Sequence, residues 1–105
     1  MNLDLIDELK RKVSLGEFEL SRHATEQMAD RQISLQEIHE AVRHGSVIED
    51  NPNDKYWPSC LLFGQTTQGR MLHLLCSYPT RLLVKVITLY EPNPNEWLDG
   101  RTRRS

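Results

Sequence analysis

The chain has 105 residues, 38% of them hydrophobic, and a formal net charge of −2. That length fits one domain with one core, and no apolar run approaches the roughly 18 residues of a membrane-spanning helix. The small net charge excludes the strong basic field of a dedicated nucleic-acid binder, but it is unevenly spread: residues 1–50 hold six Lys/Arg against eleven Asp/Glu, and residues 51–105 hold seven against four.

The opening "MNLDLIDELKRKV" is acidic and mixed, unlike a signal or transit peptide, so a cytoplasmic protein is expected. Leu5, Ile6, Leu9 and Val13 recur at helical spacing, predicting a helix from about Leu3 to Val13 that Gly16 stops. "EFELS" reads as a short extended piece with Phe18 and Leu20 on one side. Ser21 is a good N-cap for a second helix reaching about Asp30 or Arg31, because its hydroxyl can accept from an orphan N–H. Ser34 and Glu37 have the spacing of a capping box for a third helix. Leu35, Ile38, Ala41 and Val42 form its apolar stripe, and Gly45 closes it.

From Ser46 the pattern changes to strands. "SVIED" is a candidate that ends in the turn-rich "NPND". "SCLLFGQ", "RMLHLLCS" and "LLVKVITLY" follow, joined by "TTQG" and "YPTR", both short enough for antiparallel hairpins. The last of these is apolar on both faces, as a strand covered on both sides would be. The tail "EPNPNEWLDGRTRRS" reads as irregular, with Trp97 as an anchor. The expected fold is α+β, one domain: helices over about 1–45, a four-stranded antiparallel sheet over about 46–90, and a tail over 91–105.

On a helical wheel His23, Gln27 and Arg31 border the Ala24/Met28 stripe, along the seam where the helix would meet the sheet. His23 then either helps cap the helix or offers an imidazole at that seam, and Arg31 either snorkels or faces an anion. His73, in the middle of "RMLHLLCS", is either a hydrogen-bonded core histidine or the second imidazole of a pair with His23. Val84, Val86, Thr88 and Tyr90 are expected on one face of the last strand, where Thr88 and Tyr90 would offer hydroxyls. Arg101, Arg103 and Arg104 read as a frayed, solvated tail or as a phosphate clamp. Cys60 and Cys76 read as buried thiols acting as small hydrophobes. His73 and Cys76 face opposite ways on a strand and metal-ligand spacings are missing, so no metal is expected, and with no Gly-rich phosphate loop, no cofactor either.

Taken in order, "SRHATEQMADRQIS", "EIHEAVRHGSVIED", "WPSCLLFG", "GRMLHLL" and "VITLYEPNPNEW" resemble the bacterial family known as domain of unknown function 4258. The resemblance covers about Ser21 to Trp97 and leaves the first helix outside. One departure is Asn51, where family members often carry an aromatic before the Pro of the turn after the first strand. The family resembles RelE-type toxins, which pack N-terminal helices on an antiparallel sheet, and some members are encoded beside a zinc-finger antitoxin. The resemblance implies a toxin-like ribonuclease with RNA as substrate and an antitoxin protein as partner. It matches His23, Arg31, Arg70, His73, Thr88 and Tyr90 to the family's motif positions.

Two functions are therefore expected. In a metal-independent endoribonuclease a base would deprotonate the ribose 2′-OH, which attacks phosphorus, and an acid would protonate the leaving 5′-oxygen. His23 and His73 would share these roles, Arg31 and Arg70 would stabilise phosphate charge, and Thr88 and Tyr90 would position the substrate. In a non-catalytic interaction domain, His23 and Arg31 would pin helix to sheet, and the partner would be an antitoxin-like protein, a ribosomal surface or a second copy of the chain.

Overall fold

The computed structural model describes residues 4–55 and 57–104. Leu3, the expected start of the first helix, lies outside them; the helix α1 spans Leu5–Ser14 and buries Leu9 and Val13. Lys12, in its last turn, donates through Nζ to the carbonyls of Arg81 and Leu82 (2.7 and 2.9 Å) and ties the helix to a turn of the sheet. Phe18–Leu20 forms β1. Helix α2 spans Arg22–Arg31, and the Ser21 side chain caps it by accepting from the Ala24 N–H. It ends at Gln32, whose φ of 55° lies in the left-handed region.

Helix α3 spans Leu35–Arg43 and carries the expected capping box: Ser34 Oγ accepts from the Glu37 N–H (3.1 Å), and Glu37 Oε1 accepts from the Ser34 N–H (3.0 Å). Ile38, Ala41 and Val42 are buried, whereas Leu35, at the first helical position, is 51% exposed.

The strands β2 (Ser46–Asn51), β3 (Ser59–Gln65), β4 (Met71–Ser77) and β5 (Val84–Tyr90) are antiparallel neighbours, as their short connections require. The sheet nevertheless has five strands, in the order β1-β5-β4-β3-β2, and is mixed. The correction comes from β1, which pairs parallel with β5 from Phe18↔Val84 to Leu20↔Val86. Three residues are too few for an alternation to declare a strand; the pairing partner declares it. Leu82 and Leu83 lie in the turn before β5, with Leu82 84% exposed.

Alternation across the pleat sorts the sheet into two faces. Leu62, Leu72, Leu74, Val84, Val86 and Leu89, with Cys60 and Cys76, join Leu9, Val13, Ala24, Ile38, Ala41 and Val42 in one core. Full burial of each aliphatic side chain there contributes about 2 kcal/mol. Gly64 sits where α3 touches the sheet: a Cβ would lie 1.8 Å from the Ala41 carbonyl oxygen. The opposite face, with Phe63, His73 and Tyr90, lies under the C-terminal segment. That segment is not irregular. β6 (Trp97–Leu98) and β7 (Thr102–Arg103) pair antiparallel, and Trp97 is its anchor at 3% exposure.

Leu75 pairs with Thr88 and Cys76 with Val86, so Ile87 is an extra residue in β5. This bulge breaks the alternation. Val84 and Val86 point into the helical core while Tyr90 pairs with His73 on the other face, and the common face expected of Val84, Val86, Thr88 and Tyr90 does not form.

Candidate functional site

His73 is fully buried. Its Nε2 lies 2.6 Å from the Gly100 carbonyl oxygen and its Nδ1 lies 3.2 Å from the Tyr90 hydroxyl. A carbonyl can only accept, so Nε2 carries the proton; in the neutral ring Nδ1 then accepts from Tyr90. Phe63, Tyr90 and Trp97 surround the ring edge-on at 6.0, 5.2 and 4.5 Å between centroids. Burial holds its pKa below the ordinary histidine value, against the opposing pull of the Gly100 carbonyl. Burial likewise raises the pKa of Tyr90. Such a ring has no free nitrogen for a substrate.

His23 stands in the first turn of α2 and is exposed. The partners that enclose His73 come from β3, β5 and the C-terminal hairpin, so the two imidazoles do not share a cleft. The seam between α2 and β5 belongs instead to Gln27. Its Oε1 accepts from Thr88 Oγ1 (2.6 Å) and from the Leu89 N–H (3.0 Å). Beyond Leu20, β1 no longer covers the edge of β5, and Ser21 and Gln27 complete the backbone bonds there; Ser21 Oγ donates to the Ile87 carbonyl (2.6 Å). The hydroxyls of Thr88 and Tyr90 are thus both engaged within the fold.

The structure does bring Arg70 to Arg31, at the end of α2 remote from His23. Arg70 precedes β4 in the turn from β3, and its guanidinium donates to the carbonyls of Arg31 (2.7 Å) and Gln32 (3.0 Å). It also pairs with Glu37 and Glu91, each at 3.2 Å. The Ser34 N–H, aided by Arg70, holds the Glu37 carboxyl below its ordinary pKa. Arg70 therefore clasps the α2–α3 turn, including the left-handed Gln32, to the sheet, and its charge is answered inside the fold. The Arg31 side chain is exposed at the rim of the open depression over this cluster.

The three C-terminal arginines are exposed but held. Arg101 lies over the Phe63 ring (4.7 Å) and Arg103 over the Trp97 ring (4.6 Å). Arg103 also makes a two-pronged ion pair with Glu49 (2.6 and 3.2 Å), and Arg104 Nε donates to the Pro94 carbonyl (2.8 Å).

Sequence reasoning missed Gly100, Glu37 as the acid of Arg70, and Glu91. Only Glu37 left a signal, as half of the capping box; Glu91 and Gly100 meet Arg70 and His73 from 21 and 27 residues away, with no local pattern to mark them. Cys60 and Cys76 face each other across β3 and β4, free and fully buried, and burial pushes Cys60 up to about 12 and Cys76 higher. Among the described residues no cluster of His, Cys, Asp or Glu has the makings of a metal site, and no helix is long and apolar enough to cross a membrane.

These observations define an α+β domain of three helices and a mixed five-stranded sheet, with a sealed histidine and cations largely engaged within the fold. Residues 20–91 match the family described as Domain of unknown function (DUF4258), and the chain belongs to it. The match takes in α2, α3 and β2–β5 and leaves out α1 and the C-terminal hairpin. No curated protein and no solved structure matches the chain.

Proposed function

We propose that this domain is a non-catalytic interaction module. The observation that carries the reading is His73, closed to solvent with both ring nitrogens bonded, which removes one member of the imidazole pair that cleavage would use. Arg70, the expected phosphate stabiliser, supports it in the same way, since a guanidinium matched to two carboxylates and two carbonyls has little left for a phosphate. A cytosolic setting belongs to the proposal: two free, buried thiols suit a reducing compartment. The test is incubation of the purified chain with RNA in EDTA. Intact RNA is expected. Cleavage that disappears in His23→Ala or His73→Ala overturns the proposal.

One observation favours a second reading, the toxin-like metal-independent endoribonuclease with an antitoxin partner. Arg101 and Arg103 lie over rings and Arg104 is bonded to the Pro94 carbonyl, on or beside a paired hairpin rather than a frayed tail, so the three form a fixed cationic surface that suits phosphates. Helices on one face of a mostly antiparallel sheet also agree with the RelE-type likeness. On this reading His23 alone serves as the proton-transfer group, with Arg101, Arg103 and Arg104 on the RNA backbone. The same assay separates the two, since this reading predicts EDTA-resistant cleavage that Arg101→Ala weakens and His73→Gln spares.

A further inference from the structure

One concavity of the surface is lined by none of His23, Arg70, His73 or the C-terminal arginines. It is a groove of about 640 Å³ between α1 and α3. Val13 and Val42 form its floor, and Lys10, Arg11 and Arg43 stand on its walls with Glu40 as the one carboxylate. His39, on the same wall as Arg43, sets its ring edge-on against Phe18 (5.5 Å).

The charge here runs against its surroundings. Residues 1–50 are acidic overall, yet three of their six cations line this groove. Glu40 is already engaged by the Thr67 N–H (2.9 Å) and Gln36 Nε2 (3.0 Å), and those bonds hold its pKa low. Arg11 meets Glu8 at 3.1 Å in an exposed pair three residues apart, the kind that an incoming carboxylate displaces at little cost. Among the described residues no ion pair answers Lys10 or Arg43. Leu35, half-exposed, lies on the same stripe of α3 as His39 and Val42, one turn before His39, and is an apolar side chain that a segment running along α3 would meet.

We infer that the groove is the docking site for an acidic amphipathic segment of a partner protein, lying along α1 and α3 with its carboxylates on Lys10, Arg11 and Arg43 and an apolar side chain toward Leu35. This rests on the interaction reading above and names its surface. The charge complementarity selects an acidic partner, and a groove between two helices suits a helical one. One wall, α1, lies outside residues 20–91 that match the family, so the groove is formed jointly by the matched region and the helix before it.

The test is an amide-resolved NMR titration of the full chain with a synthetic amphipathic Glu/Leu peptide, beside a Lys/Leu peptide of the same pattern and an oligouridylate. The Glu/Leu peptide is expected to shift amides along α1 and α3, with binding at least about tenfold weaker in Lys10→Glu/Arg43→Glu. Should that variant fail to melt like the parent, Lys10→Gln/Arg43→Gln takes its place, with a smaller loss in the same direction. No binding, equal binding by the charge-altered variant or the Lys/Leu peptide, or shifts confined to the C-terminal hairpin overturns the inference. So does oligouridylate shifting α1 and α3 when the Glu/Leu peptide does not, which makes the groove a nucleic-acid site. RNA cleavage is scored separately, so an empty groove with intact RNA removes this site and leaves the interaction reading standing.

Discussion

His73 fastens the C-terminal hairpin to the sheet through the Gly100 carbonyl, and its protonation is therefore coupled to folding. Its folded pKa lies below the ordinary value because burial penalises the charged ring. Above pH of about 6.5 the ring is neutral in both states and its stabilisation is complete. As pH falls below that, the unfolded chain takes up a proton that the folded chain resists, so stability declines. Denaturant melts between pH 7 and pH 5 should show this decline, and His73→Gln, which keeps a side-chain N–H but cannot titrate, should remove His73's share of it. Glu37 and Glu40, both held low, add their own losses only at more acidic pH. His73→Ala should cost about 2–4 kcal/mol, from a cavity and an unpaired carbonyl. The buried-histidine alternative was readable from the apolar run around residue 73. What seals the ring was not, because Gly100 and Trp97 reach it from a segment with no periodic pattern.

The capped helices and the four long antiparallel strands were legible, and Phe18–Leu20 was legible as an extended piece; the parallel pairing of β1 with β5 and the hairpin of β6 and β7 were not. Ser21 and the Ser34/Glu37 box mark α2 and α3 because a cap acts within one turn of its own residue. β1, β6 and β7 span two or three residues each, and their hydrogen bonds depend on partners that sequence does not announce. The wheel placed Gln27 at the seam, yet His23 and Arg31 drew the functional assignment through their chemistry while Gln27 does the bridging. Gln27→Ala should cost about 1–3 kcal/mol by stranding the Leu89 N–H and the Thr88 hydroxyl, whereas Gln27→Glu keeps an acceptor and should cost less; paired urea melts measure the difference. At the contact of α3 with β3, Gly64→Ala should cost at least about 1–3 kcal/mol, since the added Cβ meets the backbone of Ala41. Ala41→Gly in the same chain should not rescue it, because the obstructing atoms are main chain.

At the scale of the molecule, the sheet separates a helical layer from the C-terminal hairpin, and the two coverings contribute differently. The helical layer closes the main apolar core, whereas the hairpin covers a smaller patch built around Phe63 and His73. Removing residues 96–105 should therefore leave the helix–sheet core folded but less stable, because Trp97, the Gly100 carbonyl and the Arg103–Glu49 pair are lost together. Circular dichroism should keep the helical signal while the melting temperature falls, and a hydrophobic dye should bind the uncovered face. With water admitted, the desolvation that depresses His73 is relieved, so its ring should titrate at higher pH than in the full chain, a shift that ring-proton NMR reads directly. The same truncation bears on function, since it opens His73 while removing the arginines that the cleavage reading places on RNA. A truncated chain that binds no RNA and cuts none agrees with a structural hairpin and an interaction domain; one that gains cleavage sensitive to His73→Ala makes the hairpin a cover over a working imidazole and overturns the binding-only account.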